Sequence, residues 1–179
     1  MKSILITITI LFSAFAVSAG EPCDTLTYTY KLHGQTRRFK VTFQPGNDGS
    51  IVMKWNIVRN LKLWEGSYTM SSSAVADGDS LSFIMPEDGN HVTLPDDTTF
   101  GIISTCALES LHRDGEMRYS GVTYRLTGRE SHPMGDTLHV IDHAEGGEMW
   151  ILDNPRLPII VRMANNPLEI DWTTSCPTR

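Results

Sequence analysis

From Leu26 onward, apolar and polar residues alternate. Leu26, Tyr28, Tyr30 and Leu32 fall on one side, with Thr25, Thr27, Thr29 and Lys31 on the other. This is the period of a half-buried strand. After a turn at Gly34, Phe39, Val41 and Phe43 alternate with Arg38, Lys40 and Thr42. Pro45–Gly46–Asn47–Asp48–Gly49 predicts a turn, and Ile51, Met53, Trp55 and Ile57 then alternate with Lys54 and Asn56. A fourth strand is expected over about 62–70. Three hairpin-like steps in a row predict an antiparallel meander.

The pattern then weakens. Residues 71–80 are small and polar and read as a loop or a short helical turn. Leu81, Phe83 and Met85 suggest a short strand closed by Pro86, and His91–Leu94 another extended piece. A helix is expected over roughly 99–113, capped by Asp97 or Thr98 and ended by Gly115. Phe100, Ile103, Ala107, Leu108 and Leu111 would form its apolar stripe. Five further strands are expected at 119–126, 137–143, 148–152, 158–163 and 168–173. Many short strands and one amphipathic helix predict a mainly β fold. The expected architecture is a strongly curved antiparallel sheet, half-barrel or spiral-like, packed on that helix.

The chain begins differently. Lys2 is followed by an almost wholly apolar run, Ile4–Val17, and by Ser18, Ala19 and Gly20. This is the layout of a secretory signal, with cleavage expected after Ala19. The run is shorter than the roughly 20 apolar residues of a spanning helix, and no second run of that length follows. Residues 1–19 therefore read as a signal peptide and 20–179 as a single β-rich domain, periplasmic or extracellular. Glu21 and Pro22 before Cys23 are the wrong context for a lipid-modified cysteine.

Composition narrows the partners. The 179 residues include 15 Lys and Arg against 21 Asp and Glu, a net charge of −6. Loss of residues 1–19 removes Lys2 and no acid, leaving 14 basic residues, 21 acidic ones and a charge of −7. That balance argues against nucleic acid as a partner. It also favours apolar or protein contact over an anionic lipid surface. In an oxidising compartment the cysteines Cys23, Cys106 and Cys176 can pair. Cys23 with Cys176 would join the two chain ends; Cys106 with Cys176, or three reduced thiols, are the alternatives.

Catalytic motifs are sparse. There is no Gly-x-Ser-x-Gly, no phosphate-cradling loop and no dinucleotide fingerprint. His139 and His143, with Asp136, Asp142 and Glu145 near them, are the best candidates for hydrolytic chemistry. In a strand they stand about 13 Å apart, too far for one zinc ion, so neither metal nor cofactor is implied. The acidic pairs Glu87–Asp88 and Asp96–Asp97 read as turn formers and caps. Trp55, Trp64, Tyr68 and Trp150 remain: as core they need no further role, and as lining they suggest an apolar cleft for a lipid or peptide.

Four short motifs add a resemblance. They are Leu94–Pro95–Asp96–Asp97–Thr98–Thr99–Phe100 entering the helix, Tyr119–Ser120–Gly121–Val122–Thr123–Tyr124, Glu148–Met149–Trp150–Ile151 and Leu157–Pro158–Ile159–Ile160. The first two resemble the cell-envelope integrity family of periplasmic proteins. The last two look like a family of uncharacterised secreted bacterial β-proteins. The resemblance implies a curved antiparallel sheet around a helix, an architecture shared with lipoprotein-carrier half-barrels, and a non-enzymatic envelope role. It brings no catalytic residues. The expected function is thus binding of an apolar envelope component or an envelope protein. The alternatives are a hydrolase using His139 or His143 and a purely structural interaction module.

Overall fold

The computed structural model describes residues 25–177. The alternating segments form the expected meander: β1 (Leu26–Leu32), β2 (Gln35–Pro45), β3 (Ile51–Arg59) and β4 (Lys62–Met70). A covering segment follows. It holds the short helix α1 (Ser72–Asp77), the two-residue strands β5 (Ser80–Leu81) and β7 (Thr98–Thr99), strand β6 (His91–Thr93) and helix α2 (Thr105–Asp114). A second meander closes the chain: β8 (Glu116–Tyr119), β9 (Val122–His132), β10 (Gly135–Asp142), β11 (Glu148–Leu152), β12 (Ile160–Ala164) and β13 (Ile170–Ser175).

The last strand returns to the first. β13 pairs antiparallel with β1, Tyr30 opposite Trp172, and so joins both meanders into one 11-stranded sheet ordered β6-β4-β3-β2-β1-β13-β12-β11-β10-β9-β8. Within this sheet β6 alone among the described strands runs parallel to its neighbour, β4; β5 and β7 form a separate parallel pair. The sheet is not strongly curled or closed, unlike the half-barrel expected from the sequence; β6 and β8 remain as edges.

One face of this sheet, the inner face, carries the core. Tyr28, Phe39, Met53, Tyr68, Met117, Leu138, Met149 and Trp172 are all buried, one or more from nearly every strand. Each lies at the apolar phase of its strand's alternation, which sends successive side chains to opposite faces. The covering segment lies over them. Ile103 N–H bonds the Pro158 carbonyl and Ile160 N–H bonds the Gly101 carbonyl, tying the cover to the start of β12.

The helix and the strand after it begin later than expected. The amphipathic helix begins at Thr105, not Thr99, and Ser104 is its N-cap, accepting from Ala107 N–H at 3.3 Å. Asp97 instead accepts from Asp79 and Ser80 through its carbonyl. The cause is Gly101, whose φ of 69° cannot continue a helix; a Cβ there would sit 3.3 Å from the Tyr28 hydroxyl. The expected strand over 119–126 holds from Val122, the start of β9, whereas Tyr119 ends β8 and Ser120–Gly121 form the turn between them. Ser104→Ala should cost about 1 kcal/mol in urea unfolding; no loss would place the cap elsewhere.

The expected signal peptide lies outside the described residues, as does Cys23, so the Cys23–Cys176 bridge falls there too. Cys176 is half-buried just past β13, and Cys106 is exposed on α2. Among the described residues no helix is long and apolar enough to cross a membrane.

Candidate functional site

The inner face of β1–β4 and β13 is an aromatic bed. Tyr28 stacks on Tyr30 with centroids 5.8 Å apart. Tyr30 meets Phe39 edge-on at 5.6 Å and Trp172 at 5.5 Å. Phe39 meets Trp55 at 5.9 Å, and Trp55 meets Tyr68 at 6.4 Å. Two rings come from the cover: Phe100, stacked on Tyr68 at 4.7 Å, and Phe83, 6.3 Å from Trp172.

Between bed and cover lies an apolar cavity of about 30 Å³, bounded by Tyr30, Phe39, Phe100 and Trp172 and roofed by residues 82–86. A void of about 10 Å³ beside it shares Tyr30, Phe39 and Phe100 and adds Trp55 and Tyr68. The larger space has room for at least one water.

The roof is a strap with few ties. Ser82 N–H bonds the Thr99 carbonyl at 2.8 Å. Beyond it, among the described residues, one hydrogen bond links residues 83–86 to another element: Tyr68 Oη donates to the Ile84 carbonyl at 3.3 Å. Ile84 and Met85 are exposed. The sequence pattern predicted a strand through Met85, but the ladder stops at Leu81. Its alternation arises because Phe83 dips into the bed.

Buried polar groups in folded proteins nearly always find partners. Most here do. Trp172 Nε1 donates to the Ile160 carbonyl at 2.9 Å, and the Thr99 hydroxyl meets Tyr119 Oη at 2.7 Å. Among the described residues five buried side-chain atoms have none: Tyr28 Oη, Tyr30 Oη, Trp55 Nε1, Trp150 Nε1 and Thr174 Oγ1. Three of these belong to the aromatic bed. Burial raises the pKa of Tyr28 and Tyr30 well above the usual phenol value, and that of Tyr68 to about 12, with Glu87 adding to the last. All three phenols stay protonated at physiological pH. They are donors, and those of Tyr28 and Tyr30 are unspent.

The four aromatic residues singled out in the sequence do not form one cleft. Trp55 and Tyr68 line the inner cavities. Trp64 sits at the end of β4, with the Arg59 guanidinium 4.8 Å over its ring. Trp150 stands on the opposite, outer face. It shares the strand phase of Glu148, not of Met149, and residues two apart face the same way.

On that outer face Trp150 is sandwiched between the His139 ring at 4.1 Å and the Arg162 guanidinium at 4.0 Å. His139 Nε2 lies 2.8 Å from Glu148, whose other oxygen accepts from Asn165. Thr127 donates to the His139 carbonyl at 3.1 Å. His143 has no part in this group; it is exposed in the turn after β10, beside Glu145 and Arg125. His139 and His143 are thus not brought together. Among the described residues no three His, Cys, Asp or Glu side chains converge as metal ligands would.

Sequence reading missed the roles of Phe83, Phe100 and Trp172. Their signal was available for Trp172 alone, in the alternation of Ile170, Trp172 and Thr174. Comparison of the chain with protein-family models, with curated proteins and with solved structures finds no match.

Proposed function

We propose that this is a secreted, non-enzymatic binding protein. Its ligand is an apolar molecule with a hydrogen-bond acceptor, held between the aromatic bed and the 82–86 strap. One observation carries this reading: Tyr30 and Trp55 line apolar cavities, and among the described residues their Oη and Nε1, like Tyr28 Oη, are buried donors without partners. Leaving a donor buried and unpaired costs roughly 1–3 kcal/mol. An incoming carbonyl, carboxylate or ester oxygen would recover that cost, while the rings take the hydrocarbon. The space is too small for a lipid-sized ligand as it stands, so the proposed entry has the strap lift. Among the described residues its ties to other elements are two hydrogen bonds, Ser82 N–H to the Thr99 carbonyl and Tyr68 Oη to the Ile84 carbonyl, so lifting residues 83–86 breaks only the second. Secretion and an envelope setting rest on Ile4–Val17 and the small residues after it.

A titration with a long-chain fatty acid, followed by tryptophan fluorescence, tests the reading. One molecule is expected to bind per chain. Tyr30→Phe should weaken binding about tenfold, because a hydrogen bond to a charged acceptor is worth roughly 1.5–3 kcal/mol. The same change should leave unfolding stability unaltered or slightly raised, since it removes an unsatisfied hydroxyl. Lost stability together with unchanged affinity would show that the hydroxyl has an internal partner, and the reading would fail.

A further inference from the structure

Three hairpins turn on two residues that both hold positive φ: His33–Gly34, Asn60–Leu61 and Ser120–Gly121. Such loops favour glycine at the second place. Two have it. The β3–β4 loop has Leu61 at φ 61°, where a bulky side chain crowds its own backbone. Leu61 is 102% exposed, so no packing among the described residues offsets that strain, and Val58 and Leu63 beside it are 70% and 53% exposed. A strained apolar residue held in water points to something outside the chain.

We infer that the β3–β4 hairpin tip inserts into the headgroup–acyl boundary of a phospholipid bilayer containing anionic lipid. The occupant follows from shape and charge. A specific protein interface buries about 800 Å² per partner, which a convex two-residue turn with three aliphatic side chains cannot supply. Shallow insertion needs only a few such side chains with cations around them. The cations are present. The Arg59 guanidinium lies 4.8 Å over the ring of Trp64, an aromatic suited to the interface. Arg37 and Arg38 stand at the same end of the sheet, because the β1–β2 and β3–β4 turns share that end. Among the described residues none of the three pairs with a carboxylate, whereas the neighbouring Lys62 is held by Asp88 at 2.6 Å and His33 by Glu169 at 3.2 Å. The overall acid excess is thus not the charge that this tip presents.

Leu32, Ile84, Met85 and Ile170, which border the apolar cavity, include the last residue of β1 and the first of β13, so the cavity reaches the same end. The inference itself stands on the tip and not on the ligand reading.

Vesicle co-sedimentation of the purified protein tests it. Binding to phosphatidylcholine vesicles should strengthen when phosphatidylglycerol is included. Leu61→Asp should reduce it about tenfold or more, in line with losing one buried leucine. Leu61→Gly should reduce binding while raising Tm, which separates lost insertion from lost folding. Wild-type protein that fails to bind, or binding indifferent to Leu61→Asp or to anionic lipid, overturns the inference. So does an oligomer that Leu61→Asp converts to a monomer, since the tip would then contact a second copy.

Discussion

Trp172→Ala should cost about 3–5 kcal/mol, the range for emptying a large aromatic site in a core. In a domain of this size the fall in Tm is on the order of 10 °C. Trp172 is 3% exposed and touches three parts of the molecule. Its ring meets Tyr30 across the β1–β13 pair and Phe83 in the strap, and its indole N–H bonds the Ile160 carbonyl on β12. The position is the seam of the sheet. β13 alone joins the two meanders, and its ladder with β12 rests on two register pairs, Arg162 with Thr173 and Met163 with Trp172. Trp172→Phe keeps a six-membered ring but loses the pyrrole part of the indole together with the hydrogen bond, so it should cost less than the alanine change, about 1–3 kcal/mol. Thermal and urea unfolding of both variants measure the difference. Near-equal small losses would mean that the seam is held elsewhere.

Gly66→Ala should cost about 3 kcal/mol, the upper end of ordinary overpacking, although both residues are small. A Cβ at position 66 would strike the Asn90 carbonyl oxygen and sit 2.5 Å from Cζ2 of Trp55. Neither neighbour yields easily. The Asn90 carbonyl accepts the Ser67 N–H at 3.1 Å where β6 joins β4, and the Trp55 indole is wedged between Phe39 and Tyr68. Ser67→Ala, which points to the other face, should cost less than half as much. In Gly66→Ala, hydrogen exchange at His91–Thr93 should quicken before that of β1 and β2, because β6 is an edge strand held by β4 alone. Unchanged stability would show that the β4–β6 edge can spread freely.

Strict alternation made the sheet legible in the sequence. Leu26 through Leu32 and Ile51 through Ile57 have one burial phase each, and a one-residue slip would expose every apolar side chain. The same rule marked Trp55 and Tyr68 as inward. It also sets Trp150 in phase with Glu148, on the outer face, so Trp150 shares no cleft with Trp55 and Tyr68. The cover was harder to read. Asp97 and Thr98 have the chemistry of a helix cap, and only the backbone demand at Gly101, set by the Tyr28 hydroxyl beneath it, moves the helix start to Thr105. Phe83 and Met85 alternate like strand residues, yet Pro86 and the lack of a neighbouring strand leave them as a strap. The site itself was legible in half: its aromatic floor follows from periodicity, but which donors go unpaired depends on packing between segments far apart in the chain.

The most direct measurement is native mass spectrometry of the protein purified without detergent from the cells that produce it. The expected spectrum contains a species heavier by one small apolar molecule, released at higher collision energy and less abundant in Tyr30→Phe. A bare mass throughout, with no one-to-one adduct when a long-chain fatty acid is added, would contradict a ligand site beneath the strap.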